Sequence, residues 1–368
     1  MKLAPGLCSL AVVVAGCPQS AGVTSPASSS LAQEIINGES CDASVEPTAV
    51  AVIADASFDF GGGQGLDITQ PICTGTLIAP DVVLLAAHCL DLSALVFGFV
   101  QPTRADFYIS FETDLSRYAE ADPNGPPLPL PESAIPVRDR VAHPDFNIEA
   151  LGEGTTGTES DVALLFLDVA ITDVAPEVVV TKAEAASLAD GTTVTIAGWG
   201  QQTADQQPPP GSVGIKMCGT STIDEIGASL MLIGESAASV RKCHGDSGGP
   251  TYTEVASSSS IKRRVIGVTS RAYSAEIDCA GGGVDTRVDA YLDFIDAQMR
   301  ARCDDGTREF CEVKGILPAS FFDAGEQGEE GEGEPDVETG CPQGCGSAPV
   351  DAAAGLGLLA SLRRRRRR

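Results

Sequence analysis

The stretch that most constrains this chain is Cys243-His244-Gly245-Asp246-Ser247-Gly248-Gly249-Pro250. Glycines on both sides of Asp246-Ser247 permit a tight turn, because glycine adopts backbone angles that other residues rarely adopt. Such a turn holds a side chain away from the main chain and points backbone N–H groups toward a bound molecule. Ser247 is therefore the candidate nucleophile of this sequence.

A serine hydroxyl needs a base within hydrogen-bond reach and a third group that orients the base. The chain has three histidines, and His88 ends an apolar run in Ala86-Ala87-His88-Cys89. Asp161 opens the apolar run 161–167, which is typical of a buried strand and can keep a carboxylate desolvated and ionised. The order His88, Asp161, Ser247 is one of the known orders of a catalytic triad.

These residues occur together with Ile35-Ile36-Asn37-Gly38 and Gly198-Trp199-Gly200. Each string alone has an ordinary explanation as a loop or as core, but in this order they resemble the trypsin-like (chymotrypsin-fold) serine endopeptidases over residues 35 to about 300. The resemblance implies an all-β fold of two six-stranded antiparallel β-barrels with a C-terminal helix and the triad in the cleft between them. It also implies that the N–H groups of Gly245 and Ser247 form an oxyanion hole.

The resemblance also implies synthesis as a zymogen. Cleavage before Ile35 would free an amine that pairs with Asp246 and orders the oxyanion hole. The residue before this bond is Glu34, where precursors activated by trypsin carry Arg or Lys.

The chain contains twelve cysteines, which favours an oxidising, extracytoplasmic setting. The resemblance implies that Cys73 pairs with Cys89, Cys41 with Cys218, and Cys243 with Cys279. Cys303 and Cys311 can form a small terminal staple.

The net charge of −27 argues against nucleic acid as a partner, because phosphate binding needs a basic surface. We expect protein or peptide substrates and a monomeric catalytic domain. We expect neither a metal nor another cofactor, since the proposed chemistry requires none and no Cys/His ligand cluster suggests one.

The expected specificity pocket departs from the trypsin pattern. Arg241, six residues before Ser247, stands where an aspartate at the pocket floor would select Lys or Arg, and Lys242 follows it. Arg271 follows Ser270 on the expected pocket wall, and His244 lies at the expected rim.

A buried guanidinium needs a partner, because an unpaired buried charge is very costly. A substrate carboxylate can bind arginine in a bidentate manner, which predicts cleavage after Glu or Asp and makes Glu34 compatible with self-activation. In the alternative, Asp285 pairs with Arg241 and leaves a smaller or blocked pocket. A third reading is a catalytically silent homologue that serves as a binding or scaffold protein at the cell surface.

The amino-terminal region predicts export. Residues 1–17 combine a basic start with an apolar stretch that is too short to span a membrane, as in a signal peptide. Val14-Ala15-Gly16-Cys17 also resembles a lipobox in which Cys17 would be acylated, with ordinary signal-peptidase cleavage as the alternative. Residues 18–34 are predicted to be a propeptide, and residues 35–302 the peptidase domain.

The carboxyl-terminal region predicts attachment. Residues 303–345 include cysteines and a Gly/Glu run that predicts an acidic disordered stalk. An Ala/Leu/Gly segment followed by six arginines in 346–368 resembles a MYXO-CTERM sorting tail, in which a cysteine such as Cys345 is the anchoring point. A basic nucleic-acid tail is the alternative. We expect a secreted protein, anchored at the bacterial cell surface or outer membrane, that contacts the membrane only through a terminal anchor.

Overall fold

The chain is described here by a computed structural model for residues 35–92, 100–122, 125–151, 155, 157–203, 209–257, 259–273 and 279–316. The predicted signal peptide, propeptide and sorting tail lie outside the described residues. Strands are the dominant element in the described part, and none of its helices is long and apolar enough to cross a membrane.

A short strand, β1 (Glu39–Ser40), precedes the first barrel. The six strands of that barrel are β2 (Ala49–Gly61), β3 (Gln64–Ala79), β4 (Val82–Leu85), β5 (Arg104–Ser110), β6 (Ile135–Ala142) and β7 (Ala163–Leu167). They pair antiparallel in the closed order β2-β3-β4-β7-β6-β5. Every residue of β4 and β7 is buried, which explains why both strands are continuous apolar runs rather than alternating ones.

The second barrel uses the next six strands. They are β8 (Thr193–Gly198), β9 (Met217–Ile226), β10 (Leu230–Ile233), β11 (Pro250–Glu254), β12 (Arg263–Ala272) and β13 (Gly283–Arg287). The pairing of β8 with β9 closes the order β9-β10-β13-β12-β11-β8, and β1 adds to the free edge of β9. The predicted class of two six-stranded antiparallel barrels with a C-terminal helix is confirmed.

Helices are few and short. α1 (Ser116–Ala119) and α2 (Lys182–Ala185) each make one turn, and α3 (Leu292–Asp304) is the C-terminal helix. Single 3₁₀ turns span Ala87–Leu90, Ile148–Ala150 and Val288–Tyr291. Five apolar residues at helical spacing are buried in this region: Val288, Tyr291, Leu292, Ile295 and Met299. The first four residues, Val288–Tyr291, form a 3₁₀ turn that leads into α3.

Four disulfides join distant parts of the described chain. They are Cys41–Cys218, Cys73–Cys89, Cys243–Cys279 and Cys303–Cys311, the same pairs that the sequence analysis expects. The first ties the β1 segment to β9 across 177 residues, and the second closes the turn that carries His88.

The segment after α3 packs against the first barrel. Arg308 donates to both carboxylate oxygens of Asp81, in the β3–β4 turn, at 2.7 to 3.0 Å, and both side chains are almost fully buried. The Arg308 guanidinium also donates to the Lys314 carbonyl at 2.9 Å. Residues 303–316 therefore belong to the folded body, although the sequence analysis assigns them to the stalk.

We predict that Arg308→Met lowers the free energy of unfolding by about 3–5 kcal/mol, because it leaves Asp81 buried without a counter-ion. The double variant Arg308→Met/Asp81→Leu removes both charges and is expected to recover most of that loss. Urea unfolding measures both effects in a Ser247→Ala background, which removes the candidate nucleophile. Equal destabilisation of the single and double variants would contradict this account of the pair.

Candidate active site

The β4–β7 pair brings His88 and Asp161 together although they are 73 residues apart. Leu85 at the end of β4 is paired with Ala163 at the start of β7, so the residues just beyond the two strand ends are neighbours. His88 Nδ1 lies 2.7 Å from Asp161 Oδ2, and the His88 backbone N–H donates to Oδ1 at 2.9 Å. Both oxygens of one carboxylate therefore hold the histidine.

The second barrel completes the surroundings of Asp161. Ser270 Oγ donates to Asp161 Oδ2 at 2.6 Å, and Thr286 Oγ1 donates to the Asp161 carbonyl at 3.0 Å. Burial alone raises the pKa of this fully buried carboxyl, but the electrostatic interaction with His88 and hydrogen bonds from His88 and Ser270 outweigh it. The pKa of Asp161 is consequently below its ordinary value, and the group accepts hydrogen bonds as a carboxylate.

An ionised Asp161 also decides the protonation of the His88 ring. Because a carboxylate only accepts, Nδ1 must carry the shared proton, which leaves Nε2 of the neutral ring as the free base. The Cys89 sulfur lies 3.9 Å from this Nε2 and 3.7 Å from the carbonyl oxygen of Ser247. Thr74 on β3 donates its N–H to the same Ser247 carbonyl at 2.8 Å. The structure thus brings His88, Asp161 and Ser247 into one cleft between the barrels.

The turn around Ser247 requires its glycines. Gly245 and Gly248 have φ angles of +95° and +80°, which side chains rarely tolerate. A Cβ on Gly248 would also lie 2.3 Å from the Thr74 carbonyl oxygen. The glycines therefore let the Ser247 turn approach the first barrel closely.

Backbone hydrogen bonds around Ser247 leave two donors unused. The fold engages the N–H groups of Asp246, Gly248 and Gly249, at 3.0, 2.7 and 2.8 Å from carbonyl oxygens. Among the described residues, nothing accepts from the N–H groups of Gly245 and Ser247. These two groups are the ones expected to form the oxyanion hole.

Asp246 is fully buried beneath this turn. Gly200 N–H and Cys243 N–H each donate to its carboxyl group at 2.9 Å. Burial raises the pKa of Asp246 to about 6, in spite of these bonds and the nearby Lys242 charge. A Cβ on Gly198 would lie 2.1 Å from Asp246 Oδ1, so the Gly-Trp-Gly string provides the space for this carboxyl, a role that its sequence does not reveal.

The predicted partner of Asp246 is close to the turn but is not bonded to it. Ile35 is buried with 1% exposure, and its nitrogen is in peptide linkage with Glu34. The described partners of the Asp246 side chain are the two backbone N–H groups rather than Ile35. Ile36 is bridged to Arg241, whose N–H donates to the Ile36 carbonyl at 3.0 Å. Among the described residues, no cation forms an ion pair with the buried Asp246 carboxyl.

A narrow cavity of about 40 Å³ opens beside Ser247. The described residues that line it are Lys242, Cys243, His244, Ser247, Thr269, Arg271, Ala272, Cys279 and Gly283. Three of the predicted pocket residues, Lys242, His244 and Arg271, are in this lining. Ser270 lies next to it and binds Asp161 instead.

The prediction for Arg241 needs correction. Its Nε donates to the Cys279 carbonyl at 2.8 Å and its Nη1 to the Ala237 carbonyl at 2.7 Å, outside the lining of the cavity. Asp285 does accept a buried cation, but the cation is Lys242 and not Arg241. The guanidinium is thus held by the backbone, and the geometry does not support its role in gripping a substrate carboxylate.

Arg271 in the cavity wall also has a carboxylate partner. Its Nε lies 3.0 Å from both oxygens of Glu159, and its Nη2 lies 2.6 Å from one of them. Glu159 is nearly buried and precedes Asp161 by two residues, so this pair links the Asp161 loop to β12. Sequence reasoning missed Glu159, since its only signal is its position beside Asp161.

Two clusters of potential metal ligands occur in the described residues. Cys73, His88 and Cys89 form one, and Cys243, His244 and Cys279 form the other. In both, the two cysteines form a disulfide and supply no thiolate for an ion. Each is a disulfide beside a histidine.

The paired barrels, with His88, Asp161 and Ser247 in their cleft, define the chymotrypsin-type class of folds. The family model named Trypsin matches residues 35–295, more than half of the chain. The chain therefore belongs to the trypsin family of serine proteases.

Individual relatives are distant. "Trypsin" of Saccharopolyspora erythraea is 27% identical over 277 residues, which cover 73% of this chain and 99% of that protein. "Chymotrypsin-like elastase family member 1" of Homo sapiens is 29% identical over 234 residues, covering 61% of this chain and 79% of the relative. "Kallikrein-1" of Mus musculus is 26% identical over 230 residues, covering 59% and 74% respectively.

The raised pKa of Asp246 predicts a pH-dependent stability in the uncleaved chain. Its folded pKa of about 6 exceeds the ordinary 3.8, so the neutral form stabilises the fold at low pH, and this contribution is lost as pH rises toward and past 6. Relative to Asp246→Asn, the chain should lose about 2.5 kcal/mol of unfolding free energy between pH 4 and pH 7.5.

Urea unfolding of both proteins in a Ser247→Ala background, at several pH values, measures this difference. The comparison cancels the other titrating groups, because the two chains share them. A difference that does not change with pH would show that the folded chain does not raise the pKa of Asp246.

Proposed function

We propose that this chain is a serine endopeptidase in which Ser247, His88 and Asp161 act as the catalytic triad. The observation that carries the proposal is the pair of hydrogen bonds from His88 to Asp161, one from the ring and one from the backbone N–H. Both residues lie in the same cleft as the glycine-flanked Ser247. This arrangement provides an oriented neutral base, a serine in a tight turn and two unused N–H donors, which are the parts that acyl transfer requires.

In the proposed mechanism, Ser247 Oγ attacks the substrate carbonyl carbon while His88 Nε2 takes the hydroxyl proton. The N–H groups of Gly245 and Ser247 stabilise the resulting oxyanion, and each such donor typically contributes about 3 kcal/mol in the transition state. His88 then donates its proton to the leaving amine, and the acyl-enzyme is hydrolysed by water through the same steps. Asp161 keeps the proton on Nδ1 and stabilises the charged ring.

We also propose that the protein is made as a zymogen. The uncleaved chain buries Asp246 against backbone donors alone, and burial keeps its pKa near 6. Ile35 is buried, and the next residue, Ile36, is bridged to Arg241, five residues before Asp246 in the chain. Ion pairing would lower the energy of the ionised carboxylate and hold the turn that carries Ser247.

The sequence segments outside the described residues support a proposal for location. The apolar amino end favours secretion, and the Gly/Glu run followed by an apolar segment and six arginines favours attachment at the cell surface. The four disulfides in the folded body fit an oxidising compartment. The catalytic body would then act on proteins or peptides near that surface.

The predicted preference for Glu or Asp needs a cation that faces the substrate. The cavity-lining cations Lys242 and Arg271 each have a buried carboxylate partner, and Arg241 lies outside the lining. We therefore do not base specificity on an acidic substrate residue. The alternative function, a silent binding or scaffold protein, keeps the same fold and is separated by the next experiment.

A fluorophosphonate probe should label protein cleaved before Ile35, because such probes react with a serine that an oriented base activates. Ser247→Ala should abolish labelling, and Asp161→Asn should slow turnover by roughly 10⁴-fold through loss of the correct His88 tautomer. Uncleaved protein should label much more slowly than cleaved protein. Cleaved, folded protein that does not label would identify the silent homologue.

Removal of residues 341–368 should release active protein from cells into the medium, because the predicted anchor is lost. Immunoblots of cell and medium fractions, together with probe labelling, measure this redistribution. The matched control replaces the six terminal arginines with glutamine and leaves the cysteines. Cell association that is unchanged by the truncation would refute attachment through the tail.

A further inference from the structure

We infer that Lys242 and Asp285 set the specificity of this peptidase and restrict the residue before the scissile bond to a small, uncharged side chain. The inference rests on the proposed function, since it concerns the cavity beside Ser247. In this arrangement Lys242 fills, from within the chain, the space that a long substrate side chain would otherwise enter.

The first argument is space. The cavity beside Ser247 has about 40 Å³ of water-accessible space, room for only a few waters, since one water needs roughly 10–15 Å³ on this measure. The aliphatic part of Lys242 occupies space that would otherwise belong to this cavity. It runs alongside Gly283, where an added Cβ would lie 3.4 Å from Lys242 Cβ and 3.9 Å from Cδ. A methyl or hydroxymethyl group fits such a space, whereas an aromatic, glutamyl or lysyl side chain does not.

The second argument is charge. The Lys242 ammonium donates to Asp285 Oδ1 and Oδ2 at 2.9 and 2.8 Å and to Thr251 Oγ1 at 2.6 Å. An ammonium has three donors, so these bonds use all of them. Both charged side chains are buried, with 1% and 0% exposure. Breaking such a pair to bind a substrate charge would strand its partner, so the pair stays closed.

The arrangement has a sharp consequence. Asp285 is a buried carboxylate that already binds an ammonium, and this ammonium belongs to the protein's own Lys242 side chain. Truncation of Lys242 would open the space of the stem and leave the carboxylate able to bind an incoming lysine or arginine. Lys242 therefore acts as an internal occupant of a site suited to a basic side chain.

The first test uses wild-type protein cleaved before Ile35 by a glutamate-specific peptidase that is then removed. N-terminal sequencing confirms Ile35, and fluorogenic peptides differ only at the residue before the scissile bond: Ala, Phe, Glu or Lys. We expect kcat/KM to be at least about tenfold higher for Ala than for the other three. Glu34 is then a poor self-cleavage site, and activation requires another peptidase.

The second test uses two variants. Lys242→Ala should raise kcat/KM for the Lys peptide relative to the Ala peptide by about 100-fold, because Asp285 gains the substrate ammonium as its partner. Lys242→Ala/Asp285→Asn should accept the Phe peptide better than wild type does, without the gain for Lys. The matched control is Arg308→Met/Asp81→Leu, which removes another buried ion pair and should leave the order of peptides unchanged.

The outcomes separate the two proposals. Probe labelling of the wild type together with faster cleavage after Phe, Glu or Lys than after Ala would overturn this inference and leave the peptidase assignment in place. No labelling and no cleavage by the cleaved wild type would overturn the peptidase assignment and this inference with it. If Lys242→Ala does not fold, the wild-type profile and the double variant still decide.

Discussion

The active-site structure depends on the hydrogen bonds around one carboxylate, Asp161, which is buried between the two barrels. A buried carboxylate is stable as an ion only when donors surround it, and neither barrel alone supplies enough of them. His88 of the first barrel and Ser270 of the second donate to the same oxygen, and Thr286 holds the backbone of Asp161 from β13. The hydrogen bonds that orient His88 therefore also join the two barrels at the site.

Other buried carboxylates show how much their partners matter. Asp81 is matched by Arg308 and Asp285 by Lys242, each within a closed ion pair. Within the part of the chain that the structure describes, the Asp246 carboxyl accepts from two backbone N–H groups, and burial raises its pKa to about 6. A carboxylate that is already paired within the protein has no need of a further cation, whereas a carboxylate without an ion pair can bind a cation that arrives later. The carboxylate beneath the Ser247 turn is thus the one that the fold leaves available to a cleavage-generated amine.

The sequence predicted the barrels and the residues in their cleft, because these occur in short strings whose local geometry demands particular residue types. It could not decide which of two adjacent cations enters the cavity. Arg241 is bridged to Ile36, and neighbouring residues in extended backbone point to opposite sides, so Lys242 faces inward. The predicted end of the peptidase domain at residue 302 is too early for a different reason. Arg308 looks like a solvated residue until the fold brings Asp81, 227 positions earlier in the chain, against it.

Lys242 acts on both the cavity beside Ser247 and the carboxyl group of Asp246. In a low-dielectric interior a charge acts on every ionisable group within several ångströms, and the Lys242 ammonium that binds Asp285 also lowers the pKa of Asp246. Its effect does not overcome burial, so the pKa of Asp246 in the uncleaved chain stays above its ordinary value. A substitution that empties the cavity would remove part of this support as well. The proposed specificity and the proposed activation are therefore coupled through Lys242, because a substitution there changes the electrostatic surroundings of Asp246.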